Sequence, residues 1–299
     1  MNPAYFIAHG APTLAIENNP YTQLLQSVAS RFPKPKAVLL FTAHWESPVQ
    51  LIGAPEQFGM IYDFFGFPDD LYRIVYPAQG APEVAEEART LLDEAGIPAK
   101  IDRGRGLDHG AWVVLRLLFP HADVPVGTLS VNPALPPEKQ YAIGRALAPL
   151  RRDALILGSG GTVHNLWSLD WSREQDGLPA DWAQSFDDWL RDRIENWDTR
   201  ALFRYKSEAP YAHMAVPRNE HFVPLLIAMG SADGDRAARR LCQYYQYGSL
   251  SLSCWEFGTG GMRGTKKDEK GGEIYSPPSH RSSPISLWSA SASFFRQLR

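Results

Sequence analysis

Four short apolar runs limit the folds open to this chain: AYFIA (Ala4–Ala8), AVLLFTA (Ala37–Ala43), PVGTLSV (Pro125–Val131) and ALILG (Ala154–Gly158). None alternates strictly between apolar and polar residues. A strand with one wet face must alternate, so these strands are expected to be covered on both faces, as in parallel sheets. Helical patterns lie between them. In PEVAEEARTLLDEAG (82–96), Val84, Ala88, Leu91, Leu92 and Ala95 share one face and Gly96 ends the pattern. AWVVLRLLFP (111–120) reads as an apolar helix stopped by Pro120, and PEKQYAIGRALAPL (137–150) opens on Pro137 and Glu138. Strands alternating with helices predict an α/β fold, a single domain with a central largely parallel or mixed sheet flanked by helices. Near the end, SLSLSCWEF (249–257) alternates, which predicts a strand with one polar side. No repeat or shift in composition breaks residues 1–257, which are read as one catalytic domain. Residues 258–299 are rich in Gly, Ser and Pro and read as a flexible tail.

Composition excludes several classes of function. The net charge of −3 and the absence of a basic stripe argue against nucleic acid as a partner, and no polybasic patch invites a membrane. No run approaches the ~20 apolar residues of a membrane span, and the N-terminus has no basic segment followed by an apolar one and a cleavage site. A cytoplasmic protein is expected. The two cysteines, Cys242 and Cys254, have no CxxC spacing and read as small buried thiols.

The eight histidines carry the chemistry. His9 follows the first strand (YFIAHGAP), His44 the second (LLFTAHWES), and His164 comes shortly after a later one (LILGSGGTVHNL). Open α/β sheets bind ligands just beyond the carboxyl ends of their strands, so these three are expected to share a crevice. His221, in RNEHFVPLL, is expected in the first turn of a helix capped by Asn219, where unpaired N–H groups favour an anionic substrate. His109, in LDHGAWVVL, follows Asp108, a candidate N-cap. A cluster of neutral imidazoles without Cys suits Zn²⁺ or Fe²⁺, and three ligands leave positions open for chemistry. For any one of these histidines a hydrogen-bonded loop residue is the simpler reading; their shared placement favours a site. His213, eight residues before His221, is a candidate for lining the same pocket, while His121 and His280 are assigned no role. GSGGTVHN lacks the Lys of a P-loop, and neither a GxSxG elbow nor an HExxH motif occurs.

AHGAP, TAHWES, YDFFGFPDDLYRIVYPAQG, LDHGAWVVLRLLFP, GSGGTVHNL and NEHFVPLL occur in that order. Over about residues 4–257 the chain resembles the LigB-type class III extradiol ring-cleavage dioxygenases, in their 4,5-DOPA dioxygenase-like branch; the segment after Gly258 does not. The resemblance implies an α/β fold with one divalent metal per chain at the strand-end crevice. It implies His9, His44 and His221 as metal ligands, with His164 a fourth ligand or the catalytic acid/base. It also implies His109 facing substrate or oxygen, with Asp108 orienting it. The aromatic loop Tyr62–Pro68 would line the pocket with Phe65 against substrate, or simply pack on itself. Arg218 is a candidate to hold a substrate carboxylate. Fe(II) is expected for dioxygenase activity and Zn(II) in the protein as isolated, with a DOPA-like catechol and O₂ as small-molecule partners and a monomer or weak homodimer as the assembly. Two other readings stay open. One is a Zn-dependent hydrolase with Glu46, Asp108 or Glu220 as general base. The other is a non-catalytic metal-binding protein on the same fold.

Overall fold

The computed structural model describes residues 1–174 and 176–258. The expected tail beyond Gly258, with His280, lies outside the described residues. Eight strands form one sheet: β1 Ala4–Ala8, β2 Ala37–Glu46, β3 Gln50–Gly53, β4 Ala99–Asp102, β5 Val126–Val131, β6 Ala154–Gly160, β7 Ala238–Gln246 and β8 Leu250–Phe257. Their order is β4-β3-β5-β2-β6-β1-β8-β7. The central strands β5, β2, β6 and β1 run parallel, while β8 joins β1, β7 joins β8 and β3 joins β5 antiparallel. The mixed α/β sheet of the sequence reading is therefore present.

The helices among the described residues are α1 Pro20–Val28, α2 Pro82–Glu94, α3 His109–Leu118, α4 Pro137–Leu147, α5 Asp181–Glu195, α6 Thr199–Phe203, α7 Tyr205–Glu208, α8 Ala212–Ala215 and α9 Val223–Ser231. They cover both faces of the sheet, which is why the central strands do not alternate. On β1, Tyr5 and Ile7 pack in the core beneath α1 and α3, while Ala4 and Phe6 pack in the core beneath α2, α4, α5 and α9. On β2, Val38 and Leu40 face one core and Leu39 and Phe41 the other. Every second residue serves a different hydrophobic layer, so both must be apolar. None of the described helices is long and apolar enough to cross a membrane.

The structure departs from the sequence reading in four places. β2 does not stop at Ala43; it runs to Glu46, with a register shift against β5 between Phe41 and Glu46, and His44 lies in that irregular stretch. A bulge of this kind re-aims side chains near active sites. The polar side of β8 is buried, not wet: Ser251 and Ser253 are each 1% exposed, and Ser251 accepts a hydrogen bond from Thr162. Asn219 does not cap a helix. α9 starts only at Val223 with no side-chain cap, the carbonyl of Asn219 accepts from the N–H groups of Phe222 and Val223, and its side-chain amide donates to Pro133 O. His221 thus sits in the turn before α9. Finally, Cys254 is buried but Cys242 is only half-buried, and both are free thiols.

Candidate active site

The site grows out of the carboxyl ends of β1, β2 and β6 and the turns that pack on them. His9 directly follows β1, His44 lies near the end of β2, His109 begins α3, and His221 is carried by the turn before α9. Two glycines permit their approach. A Cβ on Gly160 at the end of β6 would lie 2.0 Å from the carbonyl oxygen of His221, so only glycine lets that turn settle on the sheet, where the Gly161 N–H donates to the same carbonyl. A Cβ on Gly110 would lie 2.9 Å from the His44 ring, so the glycine after His109 is needed to bring α3 against β2. The motifs GSGG and DHG are packing requirements of the site.

His9, His44 and His221 form a nearly equilateral triangle, with ring centroids 4.8, 5.0 and 5.1 Å apart. Their ligand atoms all lie within 4.8 Å of one another. The hydrogen bonds behind the rings fix the tautomers. The Ser159 hydroxyl donates to Gly110 O at 2.5 Å, so it accepts from His9 Nδ1–H at 2.9 Å. Asp63 Oδ2 accepts from His44 Nδ1–H at 3.1 Å, and Glu220 Oε1 from His221 Nδ1–H at 3.1 Å. Each Nδ1 carries the proton, so each Nε2 is left with a lone pair.

Those lone pairs have no donor to meet. His44 Nε2 faces His9 Nε2 at 3.0 Å, and the buried His221 Nε2 has no hydrogen-bond partner. Two acceptors pointed at each other repel, and an unpartnered buried nitrogen is costly. A cation among the three nitrogens resolves both problems, and the backing of each ring by a hydroxyl or carboxylate is the usual support of a metal-bound histidine. The residues present therefore fit a single divalent metal.

Burial, and then the neighbouring histidines, push the basicity of His9 and His221 well below the ordinary 6.5. Both rings are thereby kept neutral, the form that binds metal. His164 is pushed down to about 3 by burial and by His44 and His109. Its ring lies flat on that of His221, centroids 3.6 Å apart and planes within 9°. It groups with Glu220 and His221 rather than with the triangle.

His109 is 7% exposed and held by Asp63, whose Oδ1 accepts from both its Nδ1–H and its backbone N–H at 2.9 Å. Burial and His44 lower the basicity of His109, while Asp63 acts in the opposite sense. Burial alone would raise the Asp63 carboxyl; hydrogen bonds from His109 and His44 outweigh it and hold the group far below the usual carboxylate range. Asp63 thus spans two histidines. The sequence reading gave the orienting task to Asp108, but the carboxylate on the His109 ring is Asp63. Asp108 instead caps α3 through Ala111 N–H and binds Thr42 and Arg105. The signal for Asp63 was visible in YDFFGFP: a lone acid among aromatic residues needs a polar partner.

A cavity of about 320 Å³ opens above this cluster, lined by His44, Asp63, His109 and His164 on one side and by Phe64, Phe65 and Phe67 on another. The aromatic loop expected to line a pocket does so, Phe65 included. His213, on the short helix α8, and Arg218 are not among the lining residues. Arg218 is turned to Glu46 at 2.7 Å and Glu220 at 3.3 Å.

The comparisons with known proteins agree with this geometry. The sequence profile described as the catalytic LigB subunit of aromatic ring-opening dioxygenase matches residues 3–253. The chain belongs to the LigB family. This LigB-family chain is 39% identical over 258 residues to a 4,5-DOPA dioxygenase extradiol of Beta vulgaris, covering 85% of this chain and 95% of the relative. It is 34% identical over 262 residues to the protein of the same name in Escherichia coli K12, covering 86% and 94%. A crystal structure of an uncharacterized E. coli K12 protein superposes with a TM-score of 0.73 at 31% identity, covering 86% of this chain and all of that one. Family and relatives make the chain an extradiol ring-cleavage dioxygenase, an enzyme that works with a metal on a small molecule and O₂.

Proposed function

We propose that the chain cleaves the aromatic ring of a catechol beside its two hydroxyls, with both atoms of O₂ entering a ring-opened semialdehyde product. One observation carries the assignment of the site: the facing Nε2 atoms of His44 and His9, 3.0 Å apart, with the orphaned Nε2 of His221 beside them. These three residues would hold the metal. A ferrous ion there would supply the redox coupling between a bound catecholate and O₂, which zinc, having no redox chemistry, cannot.

The chain's own residues do the rest. Three neutral rings would leave the charge of a bound divalent metal unneutralised, which would favour binding of a catechol as its anion. His109 lines the cavity and has a carboxylate behind its Nδ1, the arrangement of a proton-handling base. It takes a phenolic proton on Nε2, Asp63 stabilises the imidazolium, and His109 holds that proton for return to the substrate as the ring opens. His164 has its ring against His221 and its edge on the cavity, and it positions substrate there. The loop from Phe64 to Phe67 limits the access of water. Glu46 is spoken for by Arg218, Asp108 by α3 and Arg105, and Glu220 by His221, so the carboxylates that a hydrolase would use as general base all have other partners. A cavity large enough for a small aromatic argues against a closed structural site. The reading extends to a cytoplasmic monomer or weak homodimer with no nucleic-acid or membrane partner, supported by the near-neutral charge.

The experiment is metal reconstitution. Stripped protein is loaded anaerobically with Fe(II) or Zn(II), then given catechols while O₂ uptake and the yellow product are followed. Uptake with Fe(II) alone is expected. Stoichiometric Fe(II) binding without uptake on any catechol would return the hydrolase and non-catalytic readings to consideration.

A further inference from the structure

The relatives named for DOPA raise the question of what the cavity does with the rest of the substrate. A catechol fixed by its two oxygens at the histidine cluster must place its ring substituent against the opposite wall. Here that wall includes Phe65, Leu166, Leu169, Trp171 and Leu250, with Tyr247 beside them, whose hydroxyl is hydrogen-bonded to Glu174. The amino-acid side chain of DOPA carries a carboxylate and an ammonium, and each loses water on entering such a wall unless an opposite charge receives it. Among the described residues, no lysine or arginine lines the cavity. The nearby guanidinium groups are engaged elsewhere: Arg218 with Glu46 and Glu220, Arg105 with Asp108, and Arg173 with Asp176. The one acid among the described lining residues, Asp63, already accepts from the His44 ring and from the ring and backbone N–H of His109, so an ammonium there would compete with the histidines it holds.

We propose that this site selects catechols bearing an uncharged apolar substituent, such as an alkyl or aryl group, over amino-acid catechols. The proposal rests on the ring-cleavage reading and names the substrate class within it. The wall replaces the solvent of an apolar chain, worth about fourfold in affinity per methylene fully buried. Among the described residues it offers the DOPA carboxylate no cation and the ammonium no unshared carboxylate in exchange for hydration. Leu166 is 51% exposed and stands at the rim of this wall, where a charged side chain can be introduced without disturbing the core.

The test measures binding, so it does not depend on turnover. Full-length protein is loaded with Zn(II), which holds a catechol without oxidising it, and titrated calorimetrically with 4-butylcatechol and with L-DOPA. At least tenfold tighter binding of 4-butylcatechol is expected, and Leu166→Arg should narrow the ratio by improving L-DOPA. Fe(II)-loaded protein should show the same order in kcat/KM. Equal or tighter binding of L-DOPA overturns the preference while ring cleavage stands. Failure of every catechol to bind Zn(II)-loaded protein overturns the ring-cleavage reading, and the preference with it.

Discussion

The floor and the roof of the cavity are built on opposite principles. The floor rests on the sheet: His9 follows β1 and His44 lies near the end of β2, the strands on either side of β6, and His221 is held down by its carbonyl bond to Gly161. Each of its rings has a named partner behind it, Ser159, Asp63 or Glu220. The roof is a loop, in which Phe64 packs edge-on to Phe67 at 5.4 Å and to His109 at 5.8 Å. Directional bonds on rigid strands fix atoms to fractions of an ångström, as metal binding requires; apolar contacts in a loop fix only a shape. The floor is therefore expected to decide whether the reaction happens, and the roof which molecule undergoes it.

The largest break in that comparison is His221→Ala. It removes one of the three unmatched nitrogens, and metal content measured by mass spectrometry should fall to below about a tenth of wild type, taking activity with it. Full metal retention would take His221 out of the coordination set. His109→Ala comes next. It leaves the triangle intact, so metal content should hold while kcat falls about 10²–10⁴-fold, the usual contribution of a general acid–base group. Equal loss of metal would make His109 a ligand instead.

Asp63→Asn should cost about 10–100-fold in metal affinity or activity, as is usual when the partner behind a metal-bound histidine is replaced. The amide can present its NH₂ to His44 or His109 and reverse the tautomer. If the variant behaves as wild type, the bridge is dispensable and the floor is less rigid than its hydrogen bonds suggest.

Acid supplies a gentler probe of the same floor. His164 binds its proton only near pH 3, against 6.5 for an ordinary imidazole. Between those values the unfolded chain binds a proton that the folded chain does not, so stability rises with pH across the window. His9 and His221 are shifted in the same sense. The thermal midpoint of metal-free protein should fall as pH drops from 6.5 towards 3, and His164→Asn should flatten that slope. An unchanged slope in the variant would remove His164 from the explanation.

Floor and roof were not equally legible in the sequence. Strand ends followed by histidines marked His9, His44 and His164, while His109 and His221 stood at expected helix starts and were joined to the site by the family resemblance; the structure brings all five together. The bulge that carries His44 inside β2 was not found, because a register shift depends on pairing with β5 rather than on local residues. The edge strands β4 and β7, and β3 beside β4, were missed for a related reason. AKID is four residues long, and ARRLCQYYQ breaks its apolar residues with two arginines and two glutamines, so neither stands out by hydropathy; their neighbours define them. Arg218 looked like a substrate anchor because it is a cation beside a histidine motif. Only the fold reveals that Glu46, 172 positions away, reaches it first.

The smallest predicted effect tests the roof. Phe65 is 56% exposed and lines the cavity from the loop side. It is not one of the three histidines of the triangle, so truncating it is expected to leave the reacting atoms where they were. What it takes away is apolar surface that a bound catechol would cover, and only part of that surface, since more than half of the side chain already meets water. Phe65→Ala should therefore raise KM for an alkyl catechol by about three- to tenfold, the scale of a partly buried aromatic contact, with kcat within about twofold. For L-DOPA the change in KM should be smaller, because its charged side chain gains less from the ring. A fall in kcat of tenfold or more, with KM unchanged, would mean that the roof orders the chemistry itself and that the division between floor and roof is wrong.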